Sequence, residues 1–337
     1  MPALDDSQVP PGFELAPCPL CGGTRARLVV RAGDRLAPQD PTRHSVVRCL
    51  DCGLAYLRPR PTVDTCGRWY PESYSGGGRG GLVEALDSVY RRYQHREVTR
   101  WLARRRPQRG LLLDVGCGSG DLLAALRDDH WRVRGVEPQA PGAAWARDTR
   151  GLDVLTGRFE DVDLPQTAFD AIVFSGVFEH LHDPVGALGR ARELLAPGGL
   201  MAVLFLPMLE SPEARLLGER WMALDLPRHL THFEDATFRD MAARTGFRVI
   251  AQETYSGRHN AAQLVGSVAP GLQKHRFYAA ETGSVTPAGH LRPIAQRTGF
   301  LVATMAAWPV TRLAAALGKP SMRSYFLINA TAPGVRE

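Results

Sequence analysis

From Leu111 onward the chain alternates short strand-like runs with stretches whose apolar residues recur every three or four positions. Leu111 to Val115, Arg132 to Val136, Ala171 to Phe174, Leu200 to Leu206 and Phe247 to Gln252 predict strands, with a shorter one near Val154. Between them, Asp121 to Asp128, Gly142 to Thr149, Pro184 to Leu195 and Ala236 to Thr245 predict helices. Strands that alternate with helices need crossovers, which pair the strands in parallel and lay helices on both faces. The predicted fold class is therefore α/β, a doubly wound Rossmann-like sheet, completed by a last strand at Ser324 to Asn329.

Outside this region the pattern changes. Residues 1–60 carry paired cysteines among short strand-like segments. Residues 61–107 read as a linker and capping helix. The linker follows Arg58-Pro59-Arg60-Pro61 through Trp69-Tyr70 and a Gly-rich stretch from Ser75 to Gly81 that would let the two parts move. The helix is marked by Leu82, Leu86, Val89, Tyr93 and Trp101 and ended by Pro107. The core is assigned to 108–256, a helical lid insertion to 257–320, and the final strand and tail to 321–337. Within the insertion, Gly299 to Leu317 is apolar but interrupted by Pro309 and Arg312. It is expected to be a buried amphipathic helix and not a transmembrane segment, with docking on a membrane or a second subunit as the alternative.

A chain of 337 residues can build more than one core, and 44% hydrophobic with 23% charged residues is ordinary for a globular protein. The net charge of +6 comes mostly from arginines interspersed with acidic residues. No dense basic stripe with aromatics is present, which argues against nucleic acid as a partner. The acidic, proline-rich start from Met1 to Gly12 has no signal-peptide pattern, so a cytoplasmic location with reduced cysteines is expected.

The first candidate chemistry lies in Leu111-Leu112-Leu113-Asp114-Val115-Gly116-Cys117-Gly118-Ser119-Gly120, where an apolar strand runs into a glycine turn and a helix start. Such a turn lets a ligand approach the backbone, and the helix start offers unpaired N–H groups. The G-x-G-x-G spacing differs from the G-x-G-x-x-G of nicotinamide-binding turns. At the end of the next strand, Glu137 suits a vicinal ribose diol and would repel a 2′-phosphate.

Together with Phe169-Asp170, Glu179-His180-Leu181-His182-Asp183-Pro184 and Pro197-Gly198-Gly199, these residues resemble the class I S-adenosylmethionine-dependent methyltransferase family over roughly Gln108 to Phe247. The resemblance implies that Asp114 meets the methionine end of S-adenosylmethionine (SAM), that Gly116, Cys117, Gly118 and Gly120 line it, and that Glu137, with Pro138 beside it, holds the ribose. Phe159 and Glu160 are assigned to the adenine region and Ser175 to the cofactor cleft. The family often has an acidic residue near the third strand, where this chain reads Gly157-Arg158-Phe159-Glu160-Asp161.

Cys18-Pro19-Leu20-Cys21-Gly22 and Cys49-Leu50-Asp51-Cys52-Gly53 form two C-x-x-C knuckles, each followed by glycine. Four thiolates so spaced suit a structural, tetrahedral Zn²⁺. A redox pair or an iron–sulfur site is the alternative. Cys66 and Cys117 are left as unliganded thiols. This zinc ribbon with Leu54 to Pro61 and Pro227-Arg228-His229-Leu230-Thr231-His232-Phe233 resembles a bacterial methyltransferase group whose members often modify natural products or sugars.

Methyl transfer from a sulfonium is a displacement that needs alignment, and a base when the acceptor loses a proton. His180 follows the fourth strand and is the first candidate. The alternative is a structural histidine capping the helix after Asp183-Pro184. His229 and His232 are further candidates, with Trp221, Arg228 and Phe233 as an aromatic wall and a cation for the acceptor, and Tyr70 and Tyr74 as closing residues. The expected activity is methylation of a small-molecule acceptor, with a homodimer as one assembly left open. Methylation of rRNA or tRNA, and SAM binding without transfer, are the competing readings.

Overall fold

The computed structural model describes residues 9–70, 95–253, 259–272, 287–317 and 320–329. Ser75 to Gly81, Tyr74 and the helix positions Leu82, Leu86, Val89 and Tyr93 lie outside the described residues, as do 273–286 of the insertion.

Five strands come first: β1 (Phe13–Glu14), β2 (Ala26–Gly33), β3 (Arg43–Cys49), β4 (Ala55–Leu57) and β5 (Arg60–Pro61). A helix over 95–105, α1, precedes β6 (Leu111–Val115), α2 (Asp121–Asp128), β7 (Arg132–Glu137), α3 (Ala140–Arg150), β8 (Val154–Thr156) and β9 (Phe169–Ser175). Then follow α4 (Pro184–Leu194), β10 (Leu195–Pro207), α5 (Pro212–Leu217), β11 (Thr231–His232), α6 (Asp235–Arg244) and β12 (Phe247–Glu253). Last come α7 (His259–Val268), α8 (Pro287–Ala316) and β13 (Met322–Asn329).

The main sheet runs β12-β13-β10-β9-β6-β7-β8. β8, β7, β6, β9 and β10 are parallel, and β13 is antiparallel to both β10 and β12. Strand order reverses between β6 and β9, and it is outside the carboxyl ends at such a switch point that open α/β sheets bind ligands. Trp101, Leu102, Leu123, Leu126 and Ala146 pack α1, α2 and α3 on one face. Leu188, Ala191, Phe238 and Met241 pack α4 and α6 on the other.

The cysteine module does not hang on its linker alone. β2, β3 and β4 form a four-stranded sheet whose outer strand, β11, comes from beyond β10. Leu54 and Tyr56 enter the same core as α4 and α6, while Val46 and Leu57 pack on Trp221, Leu224 and Leu230. A free hinge between the two parts is therefore incompatible with the pairing of β4 and β11.

The expectation for Gly299 to Leu317 needs correction. Helix α8 runs unbroken through Pro309 and Arg312, and Thr298–Ala316 is long and apolar enough to cross a membrane by length and composition. One proline forfeits a single backbone hydrogen bond in a 30-residue, alanine-rich helix, and one arginine is too little charge to end it. Nor is the helix buried: only 17% of that stretch is covered.

Candidate active site

The glycine turn sits at the carboxyl end of β6. Gly116, Gly118 and Gly120 all hold left-handed backbone, with φ of +70°, +54° and +76°. Their duties differ. A Cβ on Gly116 would lie 2.5 Å from Val177 Cγ2, so the turn closes against the loop after β9. A Cβ on Gly120 would meet Leu152 Cδ1 at 2.5 Å, so this residue packs helix α2 against its neighbours. The Gly118 and Gln139 N–H groups each donate to the Glu137 carboxylate at 2.8 Å, which fixes that side chain across the turn.

Asp114 is buried, and its Oδ1 has no hydrogen-bond partner among the described residues. Burial and the neighbouring Glu137 push it up to about 8. Burial also raises Glu137, against the pull of its two N–H donors. An unpaired buried acceptor beside a second carboxylate lacks a cationic, hydroxyl-bearing partner. SAM has that chemistry, with an ammonium, a sulfonium and a ribose diol, and these residues fit it. When bound it would supply an electrophilic methyl group.

The other expected cofactor residues are differently disposed. The Cys117 thiol is turned into the core beneath Gly135, so that only its backbone belongs to the turn. Phe159 is buried, edge-on to Phe174 at 5.5 Å and covered by Arg190, which leaves its ring to the core and not to an adenine. Glu160 is half-buried beside Arg158 at 3.6 Å. Pro138 is exposed after β7, and Ser175 ends β9 half-buried.

The loop that begins at Val177 carries Glu179 and His180 into a second cluster. The His180 Nδ1 is 2.9 Å from the Tyr70 hydroxyl and 3.0 Å from the Arg228 carbonyl. A carbonyl only accepts, so Nδ1 carries the proton and Nε2 the lone pair. The His229 Nδ1–H donates in the same way to the Ala223 carbonyl at 2.9 Å. Its Nε2 lone pair then faces Glu179 Oε1 at 3.8 Å and Asp225 Oδ2 at 3.9 Å. His180 and His229 stand edge to face, 4.6 Å between ring centres. His232 is buried on β11, farther off. His182 Nε2 lies 3.0 Å from the Pro61 carbonyl, beside a small recess that Tyr70, His180 and Arg228 also line.

Burial sets the charges here. It lowers His180 and His232 to about 4 and His229 well below the ordinary imidazole range, and raises Glu179 to about 8 with help from Asp225. Burial also pushes Asp225 upward, but Arg228 and His229 outweigh it and hold Asp225 at about 2. The three histidines are thus neutral at pH 7 and able to accept a proton.

Two expectations change. The helix cap after His180 is Asp183, whose Oδ1 accepts from the Gly186 N–H at 2.8 Å, so His180 does not cap α4. Trp221, Arg228 and Phe233 form no wall open to an acceptor, because all three are buried. The Arg228 guanidinium is consumed by Asp34 at 2.6 Å and Asp225 at 2.8 Å. Asp225 and Asp34 carry no local signature that would single them out, and Glu179, though part of the Glu179 to Pro184 motif, is marked there only by its neighbours.

In the module, Cys18 Sγ and Cys52 Sγ are 3.4 Å apart, Cys21 Sγ and Cys49 Sγ 3.6 Å, and all four sulfurs lie within 4.8 Å of one another. Tetrahedral zinc with Zn–S near 2.3 Å sets sulfurs about 3.8 Å apart, close to these spacings. Gly22 and Gly53 take left-handed φ, and their N–H groups donate to the Cys18 and Cys49 carbonyls, closing each knuckle. The donor set fits a soft cation. Cys66 instead turns to the Val63 carbonyl.

Residues 90–252 match the protein family described as Methyltransferase domain. A ubiquinone biosynthesis O-methyltransferase from Cereibacter sphaeroides is 34% identical over 139 residues, 39% of this chain and 56% of that protein. Another from a Bradyrhizobium species is 35% identical over 97 residues, 27% of this chain and 38% of that one. The chain thus spans roughly two fifths to just over half of these relatives' length. Among solved structures, the cyclopropane synthase MmaA2 from Mycobacterium tuberculosis aligns with a TM-score of 0.44 and 19% identity, over 64% of this chain and 77% of that one. The matched segment holds the glycine turn, Glu137 and the histidine cluster, and leaves out the cysteine module and α8.

Proposed function

We propose that this protein transfers a methyl group from SAM to a small-molecule acceptor that loses a proton, in natural-product or sugar biosynthesis. The observation that carries the reading is the contact of Gly116 with Val177, which joins the donor turn to the loop bearing Glu179 and His180. Asp114 and Glu137 hold the donor, and the His180 Nε2 accepts the acceptor's proton while Tyr70 and the Arg228 carbonyl fix its ring. The four cysteines hold a structural zinc ion that keeps β3 and β4 in place.

The acceptor class draws support from the arginines. Arg105, Arg106, Arg48 and Arg60 are each ion-paired with a carboxylate of the chain, as is Arg228, so these five are engaged internally and do not track phosphates. The two relatives are named for O-methylation in ubiquinone biosynthesis, which also favours a small acceptor.

The test is transfer of labelled methyl from SAM into small-metabolite extract and into total RNA in parallel. Label in the metabolite fraction is expected. Label only in RNA would overturn the acceptor class, and label in neither would leave a SAM-binding protein.

A further inference from the structure

A helix that meets water normally keeps a polar face outward. Helix α8 does the reverse. Val302, Met305 and Leu313 are 61%, 74% and 63% exposed, as is Leu317 just past the helix end at 70%, and Arg312 is the one charged residue between Leu301 and Leu317. Two of its threonines are turned inward, while Thr298 and Arg312 are exposed. Thr304 is buried and donates to the Phe300 carbonyl at 2.8 Å, and Thr311 is buried and donates to Trp308 O at 3.1 Å. Helix α7, on which α8 packs, buries Asn260, Gln263 and Ser267. The pair hides amides and hydroxyls beside small apolar residues such as Ala261 and Ala315 and shows large apolar side chains outside. That is the arrangement of helices whose surroundings are hydrocarbon.

We propose that α8 is an in-plane membrane anchor that docks the protein on a bilayer containing anionic lipid. Charge complementarity identifies the occupant. Between positions 254 and 330 the sole acidic residue is Glu281, whereas both lysines of the chain, Lys274 and Lys319, fall there with six arginines. Anionic headgroups attract such a segment. Trp308, half-exposed with Arg312 over its ring at 5.7 Å, has the amphipathic character that favours the headgroup level.

A second copy fits less well. The exposed apolar positions include the consecutive Trp308, Pro309 and Val310 as well as Leu301 and Val302, an arc wider than the stripe one partner helix covers. The topology favours lying over spanning. β12 before the insertion and β13 after it are neighbours in one sheet, so the chain leaves and returns on the same side. A span would need two crossings, and among the described residues α8 is the one helix of sufficient length and apolarity.

The test uses the full chain with vesicles of phosphatidylcholine, with and without phosphatidylglycerol. Co-sedimentation with the mixed vesicles is expected, weakened by salt. The double variant Met305→Glu/Leu313→Glu should lose more than about tenfold in partition, with its melting temperature and circular dichroism unchanged. Brominated lipid should quench the wild-type protein more than Trp308→Phe, a readout independent of whether the double variant folds. Absence of wild-type partition, equal partition by the double variant, or equal quenching of Trp308→Phe would overturn the proposal. So would a vesicle-free dimer that the double variant dissociates, which would assign the face to a second copy.

Discussion

Arg228 and Asp34 are 194 positions apart in the chain and joined by a buried contact of 2.6 Å. The same guanidinium holds Asp225 at 2.8 Å, and the Arg228 carbonyl orients His180. One residue therefore ties the cysteine module, the acidic cluster and the candidate base together. Arg228→Met would leave two carboxylates desolvated, and a loss of about 3–5 kcal/mol is expected in urea unfolding. A loss below about 1 kcal/mol would remove the tether. Asp225 is depressed in the fold to about 2. Its stabilising contribution is therefore full above the ordinary carboxylate range and fades as pH falls through about 2.

The donor site gives a pH prediction of opposite sign. Asp114 is raised to about 8, so the ligand-free fold is favoured at low pH and loses stability as pH climbs from the ordinary carboxylate range toward 8. A cationic donor prefers the ionised carboxylate. SAM affinity, measured by calorimetry, should strengthen with pH up to about 8 and release a proton below it. Asp114→Asn should flatten that profile. A flat wild-type profile between pH 6 and 9 would contradict the assignment.

Glu137 is tested by Glu137→Ala titrated with S-adenosylhomocysteine. Losing charge-assisted hydrogen bonds to the ribose should weaken binding by about 1.5–3 kcal/mol. The Gly118 and Gln139 N–H groups also lose their acceptor, so a melting curve should accompany the titration. Unchanged affinity in a folded variant would take the ribose away from Glu137.

What was legible in the chain was local. The turn from Asp114 to Gly120 and the two cysteine knuckles can be read because a few adjacent residues dictate their backbone. The core strands follow from their apolar runs. Non-local pairing leaves no such trace: two residues, Thr231 and His232, form the edge strand that completes the module's sheet. Trp221, Arg228 and Phe233 read as a wall for an acceptor because their types suit recognition, yet each fills a core that only the folded chain creates. Phe159 was likewise drawn into the core by Phe174. For α8, weighing Pro309 and Arg312 as interruptions gave too little weight to the helix-favouring residues around them.

Metal should matter for the module before it matters for the donor. We expect about one zinc per chain by elemental analysis, lost in Cys49→Ser. Cys49 ends β3, which pairs with β4, and β4 pairs with β11, so loosening this corner reaches His232. Chelation should lower the melting temperature and the transfer rate while leaving S-adenosylhomocysteine affinity intact, because the glycine turn lies outside that sheet. Intact melting behaviour after metal removal would deny the ion a structural role.

The role of His180 separates from its packing by rescue. If its Nε2 accepts the proton, His180→Ala should lower kcat by about 10²–10⁴ without changing the KM for SAM, and added imidazole should restore part of the rate. With His180 lowered to about 4, kcat/KM should stay level through neutral pH and fall only as the imidazole protonates near pH 4. Tyr70→Phe keeps the ring but removes the hydroxyl at Nδ1, so a smaller loss is expected from a less firmly oriented base. A lowered rate that imidazole does not restore, with a lowered melting temperature, would make His180 a packing residue. The proton would then have to leave by another group, and Glu179, raised to about 8 and 3.8 Å from His229, is the nearest acid in the cluster to test.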